Sequence, residues 1–111
     1  MRRVGRDDAE AAYFTLLRAR EEVANLQRYQ QYLSDERTRL QRSVVEGQAL
    51  DERVDRRLRR ALTHTDKPLA DVIAARLTVV ADELARLPER VAAAERFVEE
   101  CEAEIALLRG A

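Results

Sequence analysis

The most distinctive chemical group in the sequence is a set of arginines spaced for one face of a helix. We call it the arginine group, and its members are Arg53, Arg56, Arg57 and Arg60, with Arg59 beside them. Guanidinium groups clustered on one helix face bind phosphates, carboxylates and other anions. Asp51, Glu52 and Asp55 are close enough in sequence to neutralise the group locally. Two interpretations follow: an anion-binding surface, and a solvated face balanced by neighbouring acids.

Acidic residues form a counterpart near the end of the chain. They recur at helical spacing and are Glu95, Glu99 and Glu102, with Glu100 and Glu104 beside them. Because acid near a helix C-terminus is slightly unfavourable, a basic partner would stabilise it. Arg28 and Arg37 can supply that partner if a hairpin pairs residues 26–37 with 95–104. A basic partner protein is the alternative.

Side chains for metal, covalent or phosphate chemistry are scarce. The chain has one histidine, His64, and one cysteine, Cys101, far apart in sequence, so neither a zinc site nor a nucleophilic pair is predicted. Gly5, Gly47 and Gly110 are isolated, which excludes a glycine-rich phosphate loop. We therefore expect no enzyme activity, no metal and no cofactor.

The element that must position these groups is the stretch from Ala70 to Leu108. Its apolar positions alternate at steps of four and three: Ile73, Leu77, Val80, Leu84, Leu87, Val91, Ala94, Val98, Cys101, Ile105 and Leu108. A repeat of this kind is typical of a helix that packs along other helices. At a stripe position, Cys101 is expected to be a small buried apolar residue.

A more polar stripe runs through the first half of the chain. It comprises Leu16, Ala19, Val23, Leu26, Gln30, Leu33, Arg37, Leu40 and Val44. Polar residues inside such a seam, here Gln30 and Arg37, usually select register or partner. Several large apolar residues lie outside the stripe, and they are Tyr13, Phe14, Leu17, Tyr29 and Tyr32. They indicate a helix that contacts more than one neighbour.

Local signals place the chain reversal at residues 64–68. Thr65 or Asp66 can cap a helix, and Pro68 suits its first turn. The prediction is a first helix over about 8–63, capped by Asp7 or Asp8, and a last helix over about 68–109. Residues 1–7 are predicted to be a short basic arm, and 8–111 a single helical-hairpin domain.

Gly47 and Pro88 are possible interruptions inside these helices. A lone glycine costs about 1 kcal/mol in a helix, so either a bend or a break is open at Gly47. Proline removes one backbone hydrogen bond and crowds the preceding turn. Because the apolar stripe keeps its phase across Pro88, a kink is favoured there over a true break.

Composition supports an all-α fold. Charged residues make up 37% of the chain and aromatic residues 5%, which is typical of long helices. Residues 1–62 carry a net charge of +3 and residues 63–111 a net charge of −4, which suits antiparallel pairing. The predicted fold is a long, coiled-coil-like antiparallel helical hairpin. Its uncovered apolar residues favour self-association into a helical bundle, most simply a homodimer.

One short segment resembles a known family. Ser34, Arg37 and Gln41 have the spacing of the middle of a Glu-x3-Ser-x2-Arg-x3-Gln-x3-Asp motif. That motif belongs to actinobacterial anti-sigma factors of the cyclic-di-GMP-binding helical-hairpin type. The sequence departs from it at Gln30 and Val45, where the family has acids, and the last helix has no second copy. The resemblance implies an anti-sigma-like or nucleotide-sensing hairpin as an alternative function.

The remaining features concern location and class. The sequence has no apolar run of about 18 residues, and its basic start is followed by two aspartates rather than an apolar signal core. We therefore expect a cytoplasmic protein without membrane contact; abundant Ala and Arg suggest a GC-rich bacterial source. The favoured function is a non-enzymatic adaptor or regulatory protein acting through coiled-coil contacts. The alternative is an anion-binding regulator that holds nucleic acid or a cyclic nucleotide on the arginine group.

Overall fold

The protein folds into two long helices that pack as an antiparallel helical hairpin. The computed structural model describes the backbone of residues 5–53 and 56–110, and the side chains of residues 5–48, 57, 58, 60 and 67–110. Helix α1 spans Arg6–Arg53 and helix α2 spans Arg56–Gly110. The predicted fold class is confirmed.

Helix α1 begins two residues earlier than expected, with Gly5 at its cap. The Gly5 carbonyl accepts hydrogen bonds from the backbone amides of Asp8 and Ala9. In return the Gly5 amide donates to Oδ2 of Asp8 at 3.3 Å. Asp8 therefore acts from inside the first turn, as the acidic half of a capping box, rather than as the cap itself.

The predicted reversal at residues 64–68 is wrong, because α2 runs through all five of them. The chain changes from α1 to α2 between Arg53 and Arg56 instead. Local cap signals and Pro68 favour a helix start by about 1–3 kcal/mol. Alignment of two apolar seams over many turns involves much more burial, so it decides where the chain reverses.

Neither Gly47 nor Pro88 breaks its helix. Gly47 lies inside α1, and Pro88 lies inside α2. Space around Gly47 is open, with nothing within 4 Å of the point that a Cβ atom would occupy, so no close approach requires a glycine there. The alternative of a third helix beginning at Pro88 is excluded.

The residues group into two compact units, and each helix contributes to both. The first unit comprises Met1–Gln30 with Arg86–Ala111, and the second comprises Gln31–Ala85. In the first unit, a cluster of Leu16, Ala19 and Cys101 is buried, with Val98 and Ile105 packed against it. In the second unit, the most buried side chains are Leu33 and Val80.

The α2 stripe is confirmed along its whole length. All eleven of its predicted positions, from Ile73 to Leu108, are buried or half-buried. The alternating spacing of four and three residues therefore predicts the burial of every residue of this stripe, including Cys101.

The α1 stripe is confirmed from Leu16 to Leu33 and again at Leu40, which is half-buried, but not at Arg37 or Val44. Arg37 and Val44 are exposed, whereas Glu36 is half-buried. The prediction that Arg37 is a polar seam residue is wrong, because its side chain is exposed.

Leu87 and Leu17 give a matched test of this core. Leu87 is fully buried and Leu17 is 42% exposed. We expect Leu87→Ala to lower the free energy of unfolding by about 2–5 kcal/mol, because it leaves a cavity between the helices. Leu17→Ala should change it by less than about 0.5 kcal/mol. Urea unfolding followed by circular dichroism, at one protein concentration, measures both; equal losses would contradict the assigned core.

Candidate functional site

The best-defined polar contact joins the two helices within the second unit. Arg76 donates from Nε to Oε1 of Glu36 at 2.7 Å and from Nη2 to Oε2 at 3.0 Å. This two-pronged geometry is the strongest arrangement available to an arginine and a carboxylate. The Glu36 side chain is only 16% exposed, so the contact is partly shielded from water.

The ionisation of Glu36 reflects this contact. The hydrogen bond from Arg76 is the main cause that lowers the pKa of Glu36 below its ordinary value. Burial acts in the opposite direction, and the charges of Arg76 and Arg39 and a hydrogen bond from Tyr32 lower the pKa further. The carboxylate is therefore held in its charged form, which keeps the contact intact at neutral pH.

The acidic residues near the chain end find a different partner from the one expected. Glu102 accepts a hydrogen bond at Oε1 from Nη2 of Arg20 at 3.4 Å. Arg28 bonds instead to Asn25 on its own helix, at 2.8 Å. The expected pairing of residues 26–37 with 95–104 is therefore wrong, for the same reason as the misplaced reversal: the true turn lies nearer the N-terminus.

Both interhelical ion pairs follow the heptad pattern. If Leu16 and Leu77 are assigned to position a, Arg20 and Glu102 both occupy e positions. On the same assignment, Glu36 and Arg76 both occupy g positions. In an antiparallel pair, equal letters lie on the same side of the seam, so e meets e and g meets g. Within each unit, the ion pair therefore agrees with the heptad positions of the apolar stripes.

The acidic residues share the e side of α2. Glu95 and Glu102 occupy e positions and Glu99 the adjacent b position, and all three are exposed. Of the three, Glu102 makes the contact with Arg20, in which both side chains are about half exposed. Such an exposed pair contributes little to stability.

The arginine group does not lie on one helix. Arg53 is the last residue of α1 and Arg56 the first of α2, so the predicted common face is wrong. The side chains of Arg53 and Arg56 lie outside the described residues, whereas Arg57 and Arg60 are exposed.

The three residues of the nucleotide-like motif lie along α1. Ser34 is half-buried, and Arg37 and Gln41 are exposed. The Ser34 carbonyl accepts a hydrogen bond from the Thr38 hydroxyl, at 3.1 Å, within the same helix. Helical spacing therefore keeps the three on neighbouring turns, with two of them open to solvent.

Apolar side chains outside the predicted stripes are exposed. The five expected to widen the α1 surface are all at least 38% exposed: Tyr13, Phe14, Leu17, Tyr29 and Tyr32. Within the hairpin they therefore remain available for another neighbour, as their positions outside the seam predicted.

A second apolar stripe on α2 is absent from the sequence-based interpretation. Its members are the exposed large apolar residues in the described part of α2, and they are Leu58, Leu69, Val72, Val79, Phe97 and Leu107. All six occupy heptad positions c or g, whereas the core stripe occupies a and d. The numbers of residues between successive members are sums of three and four, so the sequence does contain the periodic signal of a second stripe. Charged residues at the intervening c and g positions made that signal hard to notice.

A shallow groove lies near the chain ends, within the first unit. It encloses about 340 Å³ and is lined by Arg6, Ala9, Glu10, Tyr13, Phe14, Ile105, Leu108 and Arg109. The lining is mostly apolar, and Arg6 and Glu10 form an exposed ion pair at 3.3 Å. The apolar part of the lining can accept an apolar side chain, and Arg6, Glu10 and Arg109 place charged groups at the same groove.

Metal-binding clusters and membrane spans are both missing from the part of the chain that the structure describes. No group of three His, Cys, Asp or Glu side chains there is arranged to hold a metal ion. Neither α1 nor α2, where described, contains a stretch long and apolar enough to cross a membrane. No protein-family model, curated protein or solved structure matches the chain significantly.

Replacing Glu36 tests the contact with Arg76 through pH. Because the folded-state pKa of Glu36 lies below its unfolded value, the contact stabilises the fold above the unfolded pKa. That contribution is lost as pH falls through the folded pKa. We expect Glu36→Gln to lower the melting temperature at pH 7, and the difference from wild type to shrink as pH falls below about 4.

Glu10→Gln is the matched control, since it removes the same charge from an exposed pair within one helix. It should lower the melting temperature much less at pH 7. A Glu36→Gln deficit that is unchanged by acid would contradict the role assigned to the ionised pair.

Proposed function

We propose that the chain is a non-enzymatic helical interaction protein, an adaptor or regulator that acts through coiled-coil contacts. Its first such contact is with a second copy of itself, as a homodimer. The two helices already use their a and d positions on each other. Any further association therefore involves side chains outside that seam.

The observation that carries the proposal is the balance of exposed and buried apolar side chains. Among the described residues, eight apolar residues are buried, whereas thirteen large ones are exposed. Scattered exposed apolar residues are normal on a monomer, but a set aligned along a helix is typical of an interaction surface. A helix with two apolar stripes can contact two neighbours, and bundles of four helices satisfy that need.

Charges on the described surface support a contact with protein better than a contact with nucleic acid. The full chain has a net charge of −1, and both helices carry basic as well as acidic residues. Binding to nucleic acid relies on many arginine or lysine contacts to phosphate. Of the arginine group, the described side chains are those of Arg57 and Arg60.

Solution mass at two salt concentrations tests the proposal. Apolar contacts persist as salt rises, whereas contacts between exposed charges are screened. We expect a dimer by light scattering at both about 50 mM and about 500 mM salt, where the Debye length falls from about 14 to about 4 Å. A monomer at both concentrations would contradict self-association.

Association only at low salt would also overturn the proposal, because it would mean that charge drives the contact. In that case the anion-binding alternative gains support. Titration with a single-stranded oligonucleotide and with cyclic di-GMP, each at both salt concentrations, then identifies which anion is bound.

A further inference from the structure

We propose that the first part of α1, residues 6–24, packs antiparallel against the same segment of a second copy. The inference rests on the proposed self-association and specifies its surface, orientation and register. The whole segment belongs to the first unit, and its side chains are all described. Its large exposed apolar residues lie on two neighbouring turns: Tyr13 is 49% exposed, Phe14 is 69% exposed and Leu17 is 42% exposed.

The proposed surface consists of the e and b positions of α1. We call it the e/b face, and its members are Arg6, Glu10, Tyr13, Leu17, Arg20 and Ala24. An α-helix turns by about 100° per residue, so this face lies about 100° around α1 from the a and d positions that pack on α2. A helix with two faces separated in this way can pack against two neighbours, as helices of a bundle do.

The e/b face is complementary to itself when two copies run antiparallel with the two-fold axis at the level of Thr15. Each e position then lies opposite a b position of the other copy, as an antiparallel seam requires. Tyr13 lies opposite Leu17, which removes apolar surface of both side chains from water. Glu10 lies opposite Arg20, so an acid meets a base. Two-fold symmetry repeats both contacts on the other side of the axis.

Ion pairs already present in each chain extend the contact between the copies. Glu10 pairs with Arg6 at 3.3 Å, and Arg20 pairs with Glu102 at 3.4 Å. The contact between Glu10 and Arg20 joins these two pairs into a row of four alternating charges at each end of the interface. Arg6 lies opposite Ala24, so its aliphatic stem can cover that residue. Charges arranged in such a network stabilise a contact more than an isolated exposed pair does.

Phe14 lies along one edge of the e/b face, at an f position. In the proposed register, the two copies of Phe14 are two residues apart along the helix axis, or about 3 Å, so their rings can contact each other. Asp7 and Glu21 lie farther out on the same edge and are exposed, where solvent screens the charges that they carry. The edge therefore adds apolar contact near the axis.

Neighbouring arrangements of the e/b face lose these matches. A shift of one heptad in one direction places Tyr13 opposite Glu10, and it places Leu17 opposite Arg6. The opposite shift places Leu17 opposite Arg20. A parallel pair in register places each Glu10 opposite the other Glu10 and each Arg20 opposite the other Arg20, so like charges meet. Of these four arrangements, the antiparallel one centred at Thr15 is the one that pairs apolar with apolar and acid with base.

Charge placed at the centre of the e/b face tests the surface. Leu17→Glu sets a carboxylate opposite Tyr13 twice per dimer and should raise the dimer dissociation constant about 100-fold or more. Phe97→Glu is the matched control, because Phe97 is 48% exposed and belongs to the same unit but lies on α2. It should leave the dimer intact. Analytical ultracentrifugation measures the dissociation constants, and circular dichroism checks the helices; Leu17→Ala, with an expected loss of about 10-fold, serves if Leu17→Glu does not fold.

Exchange of charges tests the orientation. Glu10→Arg sets arginine against Arg20 at both ends of the dimer, and Arg20→Glu sets glutamate against Glu10. Each variant alone should raise the dissociation constant about 10-fold at about 50 mM salt and much less at about 500 mM. A chain that carries both substitutions should dimerise as tightly as wild type, because each introduced arginine then meets an introduced glutamate. In a parallel pair, each single variant would only exchange one pair of like charges for another, so no loss would follow.

Arg96→Glu is the control for charge alone, since Arg96 is an exposed arginine of the same unit outside the e/b face. It should leave the dissociation constant unchanged. Because dimerisation adds to apparent stability, unfolding comparisons that involve Leu17 or Glu10 refer to the monomer, at protein concentrations below the dimer dissociation constant.

The outcomes separate this inference from the proposed function. A wild-type monomer overturns both. A wild-type dimer that persists in Leu17→Glu overturns this inference alone, and its dissociation in Phe97→Glu would move the contact to the second apolar stripe. Loss of the dimer in Leu17→Glu without any effect of the single charge variants, or without recovery in the double variant, overturns the antiparallel register. Loss in each single variant with recovery in the double variant supports it.

Discussion

The contact between Glu36 and Arg76 sets the alignment of the two helices in the second unit. Apolar seams that repeat every seven residues tolerate a slide by one heptad, because each slide restores the same pattern of a and d positions. The ion pair removes that ambiguity. A slide would separate the two side chains and leave a half-buried carboxylate without its arginine, which is costly. The exposed pair of Arg20 and Glu102 is consistent with its own unit's register but is too solvated to impose it.

Around these seams the side chains are segregated by heptad position. On α2, positions a and d hold the core, e and b hold the acidic residues Glu95, Glu99 and Glu102, and c and g hold the second apolar stripe. Charged residues such as Arg76, Arg90 and Glu100 also occupy c and g positions, so the second apolar stripe is interrupted. A helix so divided can contact its own partner helix, solvent and a further helix at the same time.

Prediction from sequence succeeds where the signal is periodic and fails where it is local. Spacing alone predicts eleven core positions on α2, and all are buried or half-buried. Pro68 suggests a turn, yet the helix continues through it because alignment of the seams outweighs one lost hydrogen bond. A strict heptad assigns Arg37 to the seam, yet Arg37 is exposed and the neighbouring Glu36 is half-buried. The stripe through Val79 and Phe97 is periodic too, but its interspersed charges conceal it.

The burial of Cys101 gives the molecule an internal reporter of its own motions. The thiol is the chain's single sulfhydryl and packs beside Leu16 and Ala19 on the opposite helix. A thiol reagent can reach the sulfur only when that end of the hairpin separates. The labelling rate of the unmodified protein therefore reads the frequency of helix separation in the first unit, and a ligand or partner that clamps that end would slow the reaction without any engineered probe.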